Sequence, residues 1–223
     1  MQVFRYDLLP STQDLAKELL EHKQPPFAVC ALEQTAGYGK QGRAFYSPKQ
    51  GLYLSVCLAG PPLPAATLAI GTGVADYLRK KYALDIGLKW VNDLYFKEKK
   101  VGGILTEQLA GGLVVGLGLN LATESFPADL PQAGSLRPGG AFDPDLAGEL
   151  AEVIRQSAEE PGDFLPRYRQ LSILLGRPVS LKVQGRIVSG TCAGFDEQGR
   201  LLLEKDREIT RWTSGEVIKT IFL

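Results

Sequence analysis

The chain has 223 residues, 44% of them hydrophobic and 22% charged, which is an ordinary composition for a folded protein of one or two domains. Lysine plus arginine and aspartate plus glutamate both number 25, so the formal net charge is zero and gives no general attraction for nucleic acid or anionic membranes. No apolar run reaches the roughly 18 residues of a membrane-spanning helix, and the first residues lack the apolar segment of a signal peptide. We therefore expect a cytoplasmic protein with neither a membrane nor nucleic acid among its partners.

Strands and helices alternate irregularly in the first 122 residues. A strand is predicted over 2–8, and Ser11 with Asp14 then forms the S-x-x-D signature of a helix start. Further strands are predicted over 27–34, 51–59, 86–90 and 111–122, a helix over 64–82, and a hairpin over 93–108 with a charged turn at 97–100.

The second part of the chain has a different character. Residues 123–143 are rich in proline, glycine and polar side chains and predict a loop, which two helices over 145–158 and 163–174 follow. From residue 176 about five short strands are separated by turns at Gly185, 198–199 and 205–206. This spacing is typical of a small β-barrel of roughly fifty residues.

The cysteine and histidine content excludes several kinds of site. Cys30, Cys57 and Cys192 are odd in number, far apart and embedded in apolar segments, so they predict buried thiols rather than disulfides or a zinc site. The only histidine, His22, stands on a predicted helix away from any nucleophile motif. Catalysis by a Ser-His or Cys-His pair is therefore not expected.

Gly37, Gly39 and Gly42 form a G-x-G-x-x-G pattern, whose usual function is to hold a nucleotide phosphate at the start of a helix. Here Pro48, Gly51 and a β-rich segment follow the glycines, so the helix that a dinucleotide-binding fold requires is excluded. The signatures of P-loop proteins and protein kinases are absent as well. By itself the pattern indicates either a surface turn or a ligand loop of another kind.

Other glycine-containing segments favour a ligand loop. Gln34 precedes the loop, and the cations Lys40 and Arg43 lie within it. The segments 89–93 (KWVND) and 100–105 (KVGGIL) also combine a cation or an amide with strand ends or glycines. Adjacent glycines inside a strand suggest the close approach of a ligand or of another backbone.

Five segments in order, STQD, EQTAGYGKQGRAFYSPKQGLYLS, LKWVNDLYF, KKVGGIL and VVGLGLN, resemble the catalytic domain of biotin protein ligases. The later segments GRPVSL and GRLLLE resemble the small SH3-like barrel of that family. The resemblance implies an α+β fold, in which helices pack on a mixed β-sheet over residues 1–175 and an SH3-like barrel follows over 176–223. Because the chain begins at the first strand of the catalytic domain, it resembles the ligase-only class without an N-terminal DNA-binding domain.

The resemblance also implies an activity. Members of this family are ATP-dependent, AMP-forming carbon-nitrogen ligases that convert biotin and ATP, with Mg²⁺, to biotinyl-5'-AMP. They then transfer the biotinyl group to a lysine of a biotin carboxyl carrier protein. Exposed edge strands make a homodimer a further expectation.

Site residues are implied position by position. Lys100, Arg43 and Lys40 align with catalytic cations, although Lys100 alone would pass for a solvated hairpin lysine and Lys99 is a possible alternative in register. The biotin-binding positions are Ser11, Thr12, Gln13, Gln34, Gly37, Tyr38, Gly39, Lys40, Lys100, Gly103, Leu105, Gly116 and Gly118. The ATP-binding positions are Gly39, Lys40, Gly42, Arg43, Trp90, Asn92, Asp93, Lys100 and Asn120, and no position is implied as a dedicated metal ligand.

Gln13, Tyr38, Lys40 and Val91 depart from the family pattern, which has Asn, Arg, Arg and Pro at these positions. Lysine at position 40 keeps the charge but loses the bidentate geometry of arginine. Three alternatives remain open: a lipoate or octanoate ligase or transferase of the same fold, a non-catalytic nucleotide- or biotin-binding module, and a DNA-binding biotin sensor. The C-terminal barrel could dock the carrier or close the nucleotide site.

Overall fold

The computed structural model describes residues 1–140 and 143–220. The first β-sheet has seven strands, in the order β1-β2-β3-β7-β6-β5-β4. Strands β1 and β2 are parallel and the remaining neighbours are antiparallel, so the predicted mixed sheet is confirmed. The strands are β1 (Gln2–Leu9), β2 (Phe27–Gln34), β3 (Leu52–Leu58), β4 (Gly87–Lys89), β5 (Asp93–Phe96), β6 (Lys99–Leu109) and β7 (Gly112–Leu119).

Helices cover both faces of this sheet. They are α1 (Thr12–Leu20), α2 (Ala66–Tyr82), α3 (Leu146–Glu159) and α4 (Leu165–Leu171). Along β2, Phe27 and Val29 pack in the cluster that includes α1, whereas Ala28 and Cys30 pack in the larger core with α2 and α3. Successive strand residues point to opposite faces, which explains why the whole of β3 is buried.

Helix α1 begins where the sequence predicts. The side chain of Ser11 accepts a hydrogen bond from the backbone N–H of Asp14 at 3.2 Å, which satisfies one of the free donors of the first turn. This cap fixes Thr12 and Gln13 at the start of the helix, where both side chains are buried.

The C-terminal strands form a second, antiparallel sheet in the order β11-β10-β9-β8-β12. They are β8 (Pro178–Val183), β9 (Arg186–Phe195), β10 (Leu201–Lys205), β11 (Glu208–Trp212) and β12 (Glu216–Thr220). Within the residues that the structure describes, no pairing joins β11 to β12, so this SH3-like unit is an open sheet rather than a closed barrel.

The two sheets share one apolar core. The ring of Tyr168 on α4 meets Phe195 edge-on with centroids 4.8 Å apart, and the indole N–H of Trp90 donates to the carbonyl of Gly199 at 2.9 Å. The C-terminal sheet is thereby held against the end of the first sheet that carries β4 and β5. A domain boundary after residue 175 stays a prediction.

One predicted helix is shorter in the structure, and one predicted loop is confirmed. The helix expected over 163–174 ends at Leu171, because Ser172 is extended and the next residue, Ile173, donates its N–H to the carbonyl of Leu88 on β4. The loop expected over 123–143 is confirmed where it is described, and residues 141 and 142 lie outside the described residues. None of the helices in the described part has the combined length and apolar character needed to span a membrane.

Candidate functional site

A cavity of about 340 Å³ opens between the glycine loop (residues 35–48), the start of α1, strands β3 to β7 and the C-terminal sheet. It brings together residues that are up to about 200 positions apart in the chain. Predicted site residues that line it are Ser11, Thr12, Gln13, Gln34, Tyr38, Gly39, Lys40, Arg43, Trp90, Asn92, Asp93, Lys100, Gly103, Leu105, Gly116 and Gly118. All three candidate catalytic cations are among them.

Three predicted positions do not line the cavity. Gly37 packs against Gln34 and Ser47 instead, since a Cβ atom here would come within 2.5 Å of both the Gln34 amide nitrogen and the Ser47 hydroxyl. Gly42 has a positive φ of 70° and serves the turn itself. Asn120 is buried and donates to the Gly134 carbonyl at 3.0 Å, so its side chain fastens a loop beside the site.

The glycine loop runs from strand to strand, as its flanking residues predict. The N–H of Phe45 donates to the Gly37 carbonyl at 2.8 Å, and the N–H of Gly39 donates to the Arg43 carbonyl at 2.8 Å. A single 3-10 turn over Lys40–Gly42 closes this small hairpin, and β3 follows without an intervening helix. The exclusion of a dinucleotide-binding fold is confirmed.

One side of the cavity is a network of neutral hydrogen-bonding groups. The Gln34 amide oxygen accepts from the backbone N–H of Thr12 at 2.8 Å and from its hydroxyl at 3.1 Å. The hydroxyl of Ser55 lies 3.0 Å from that of Thr12 and 2.9 Å from the amide oxygen of Gln13. These groups are at least half-buried, so they suit a ligand with a compact polar head group.

Another part of the wall is cationic. The Nζ atom of Lys100 lies 2.7 Å from Oδ1 of Asp93, and both side chains are partly exposed to the cavity. Lys99 points the other way and donates to the Pro131 carbonyl at 2.5 Å. Of the two candidate lysines, Lys100 is therefore the one placed in the site.

Burial lowers the pKa of two further lysines on the cavity wall. For Lys40 the second cause is the neighbouring Arg43 guanidinium, and the Asp93 carboxylate opposes both. For Lys89 burial again dominates, with Lys100 acting in the same direction and Asp93 against it. Partly desolvated cations of this kind interact strongly with an anionic ligand, which relieves their mutual repulsion.

Several lining residues were not predicted from the sequence, among them Phe45, Ser55, Lys89 and Glu216. Ser55 could have been found, because it is a polar residue inside an otherwise apolar buried strand. Glu216 on β12 forms an ion pair with Arg43, and no local signal links residues 173 positions apart. The C-terminal sheet thus contributes directly to the cavity wall.

The neighbouring glycines of β6 have different surroundings. A Cβ atom on Gly102 would lie 2.7 Å from the Gly118 carbonyl oxygen, so close strand packing requires glycine there. A Cβ atom on Gly103 would meet the side chains of Asp93 and Lys100 no closer than 3.6 Å, which is ordinary contact. No protein atom requires glycine at position 103, and because Gly103 lines the cavity, the cavity space beside it is available to a ligand.

The chain belongs to the biotin/lipoate A/B protein ligase family, whose sequence profile matches residues 6–123. The profile of the biotin protein ligase C-terminal domain matches residues 174–220. Together with the mixed sheet and the smaller C-terminal sheet, these matches confirm the predicted family and fold class.

Individual relatives are similar over most of the chain. The bifunctional ligase/repressor BirA of Salmonella typhimurium is 36% identical over 209 residues, covering 85% of this chain but 65% of the relative. The biotin–[acetyl-CoA-carboxylase] ligase of Mycobacterium tuberculosis is 31% identical, covering 85% of this chain and 77% of the relative. A structure of the Aquifex aeolicus biotin protein ligase in complex with biotin and ATP has 28% identity and a TM-score of 0.83, with 96% and 97% of the two chains covered.

Proposed function

We propose that the protein is an ATP-dependent biotin protein ligase, which makes biotinyl-5'-AMP and transfers the biotinyl group to a lysine of a biotin carboxyl carrier domain. The observation that carries this proposal is the union of two chemistries in one cavity. Neutral hydrogen-bonding groups suited to a urea ring and cations suited to phosphates line the same space. The similarity to biotin ligases over both parts of the chain supports the same conclusion.

In the first step, a carboxylate oxygen of biotin attacks the α-phosphorus of ATP, and pyrophosphate leaves. Two anions must approach each other, so fixed cations lower the barrier by stabilising charge as it develops on the phosphoryl oxygens. Lys100 is the proposed bridge between carboxylate and α-phosphate, while Lys40 and Arg43 are the proposed contacts of the remaining phosphates. Asp93 holds the Lys100 ammonium by its 2.7 Å ion pair.

In the second step, the amine of the carrier lysine attacks the carbonyl carbon of the mixed anhydride, and AMP leaves with the electron pair of the broken C–O bond. The incoming ammonium must first lose its proton, which passes to solvent water, and Asp93, a carboxylate on the first sheet that lines the cavity, is the proposed group that orients the resulting amine. No side-chain nucleophile is needed in this scheme. The buried thiols fit that view, since burial raises the pKa of Cys30 to about 11 and that of Cys57 to about 12.

Mg²⁺ is the expected counterion of the triphosphate. The described residues contain no cluster of three or more acidic, histidine or cysteine side chains that could hold a metal by itself. This composition fits a Mg²⁺ ion that would be held mainly by substrate phosphates, which is the usual arrangement in phosphoryl-transfer sites, and Asp93 and Glu216 are the carboxylates that line the cavity. Bound there, Mg²⁺ would neutralise charge on the leaving pyrophosphate.

The substrates, the localisation and the oligomeric state are also proposed here. ATP, biotin and a carrier domain are the expected substrates, and the zero net charge gives no reason to add nucleic acid or a membrane. Cytoplasmic localisation agrees with three cysteines that are all free and buried. The homodimer through an exposed edge strand stays a prediction.

Pyrophosphate release with purified protein tests the proposal. We expect release only when biotin and ATP are both present, and a biotinyl mass increase on a carrier domain added afterwards. Lipoate and octanoate serve as controls for the related acyl ligases. Release driven by lipoate instead of biotin would assign the protein to that class, and tight binding without any release would leave a binding module.

A further inference from the structure

The carboxylate of Glu107 on β6 does not line the cavity but contacts Gln13, which does. One of its oxygens accepts from the Gln13 amide at 2.8 Å and from the Lys17 ammonium at 2.8 Å. Lys17 also donates to the Tyr38 hydroxyl at 2.9 Å, and that hydroxyl donates to Asp14 at 2.6 Å. A single carboxylate therefore links β6, helix α1 and the glycine loop.

The contact with Glu107 fixes the orientation of the Gln13 amide. A carboxylate only accepts hydrogen bonds, so the atom of Gln13 that faces it must be the NH2 group. The second direction of that NH2 group is towards the Val114 carbonyl at 3.4 Å. The oxygen is then turned to the other side, towards Ser55 and over Gly116, where a Cβ atom would lie 2.6 Å from it.

This orientation determines what the side chains of Thr12, Gln13 and Ser55 offer to a ligand. The Thr12 hydroxyl donates to Gln34, and the Ser55 hydroxyl donates within the network to Gln13 or Thr12. Thr12, Gln13 and Ser55 have therefore used their donor hydrogens on one another and on the protein. What they retain is lone pairs, which only a ligand with N–H or O–H groups can satisfy.

We propose that Glu107 is a positioning residue that makes this part of the site accept, and not donate, hydrogen bonds, and that it thereby selects a ligand head group with two N–H donors, as in a cyclic urea. The inference rests on the proposed function. Glu107 acts through Gln13, which is one methylene longer than the asparagine expected from the family pattern and reaches the carboxylate from the start of α1.

An isosteric ligand pair tests the proposal without any change to the protein. The analogue is a cyclic carbamate, in which one ureido N–H of biotin is replaced by oxygen. We expect the unaltered protein to bind biotin at least about tenfold more tightly than this analogue in calorimetry, because a buried acceptor left without its donor is costly. A preference below about threefold would overturn the proposal.

Glu107→Gln tests the role of the carboxylate. A neutral amide at position 107 can accept or donate, so Gln13 is free to turn its NH2 group towards the ligand oxygen. We expect the preference for biotin over the carbamate to fall below about threefold, while the KM for ATP stays within about twofold. Glu159→Gln, which removes an exposed partner of Arg155 on α3, is the matched control and should keep the full preference.

Gln13→Leu removes the amide oxygen of Gln13 without changing Glu107, and it should also abolish the preference for biotin over the carbamate. This variant keeps the test available if Glu107→Gln fails to fold. Retention of the unaltered preference in either variant, or an equal loss of biotin and ATP binding, would contradict the proposal. Failure of the proposed function and failure of the proposed role of Glu107 give different results. If the unaltered protein binds no biotin, the proposed function is refuted. If the unaltered protein forms the adenylate but both variants keep its preference for biotin over the carbamate, only the role of Glu107 is refuted.

Discussion

The ammonium of Lys100 and the carboxylate of Asp93 face each other at 2.7 Å across strands β5 and β6, inside the cavity. Asp93 pairs in register with Gly103, so the open space beside that glycine lies next to the ion pair. The Lys100 ammonium therefore lies beside space for a ligand. The Asp93 carboxylate restricts the positions that the flexible Lys100 side chain can adopt.

Asp93→Asn should lower the kcat of adenylate formation by about tenfold or more, because a hydrogen bond to a charged group is worth about 1.5–3 kcal/mol and holds Lys100 in place. The KM for biotin should change by less than about threefold, since its ring contacts other residues. Asp85→Asn, which removes a far more exposed carboxylate from its ion pair with Arg79, is the control. An unchanged kcat in Asp93→Asn would show that the ion pair is dispensable.

Gly102→Ala should reduce the stability of the protein, whereas Gly103→Ala should reduce its binding of biotin. The first places a methyl group 2.7 Å from a backbone oxygen and should reduce the free energy of unfolding by about 1–3 kcal/mol. The second meets only ordinary contacts and should leave stability within about 0.5 kcal/mol, while the methyl group in ligand space weakens biotin binding about tenfold or more. Denaturant unfolding and calorimetry on both variants would decide. Normal biotin binding by Gly103→Ala would place the ligand elsewhere.

Trp90 was expected on the ATP side of the site, and it lines the cavity with 3% of its surface exposed. Its indole N–H is occupied by the Gly199 carbonyl, which favours a role in joining the two sheets. Trp90→Phe should therefore cost about 1–3 kcal/mol of stability by leaving a buried carbonyl without its donor. We expect the KM for ATP to change by less than about threefold. A large rise in that KM with unchanged stability would favour stacking on the adenine.

The lowered pKa of Lys40 predicts a pH dependence of nucleotide binding. Lysine is the cation below its pKa, so a lowered pKa means that the charge is lost at a lower pH than for an ordinary lysine. The KM for ATP should rise as the pH increases from about 8 to about 10, and Lys40→Arg should reduce that rise because arginine stays charged. An identical pH profile in the variant would exclude Lys40 from phosphate binding.

Local signals predicted the fold well, because they act over a few residues. The cap at Ser11, the exclusion of a helix after the glycine loop and the hairpin turn near Lys97 are all of this kind. The turn spacing predicts the short strands of the SH3-like unit but not their order in the sheet, β11-β10-β9-β8-β12, because local sequence does not encode which strands pair.

The residues that line the site could largely be predicted from the sequence, but their long-range contacts could not. The cations and glycines of the cavity follow from motif resemblance, and Lys100 could be separated from Lys99 only by the direction of their side chains. Glu107 meets Gln13 across 94 positions and Glu216 meets Arg43 across 173, and such contacts depend on strand order and packing rather than on local pattern. No local pattern in the sequence points to either carboxylate.

The most direct test of the account compares Lys100→Ala with Lys99→Ala in biotin- and ATP-dependent pyrophosphate release. Lys100→Ala removes the cation that faces the cavity and should lower kcat by about a hundredfold or more, the usual cost of one oxyanion-stabilising donor. Lys99→Ala removes a neighbouring lysine that contacts the Pro131 carbonyl and should stay within about twofold of the unaltered protein. Near-normal release by Lys100→Ala, or equal losses in both variants, would contradict the assignment of Lys100 to the chemistry.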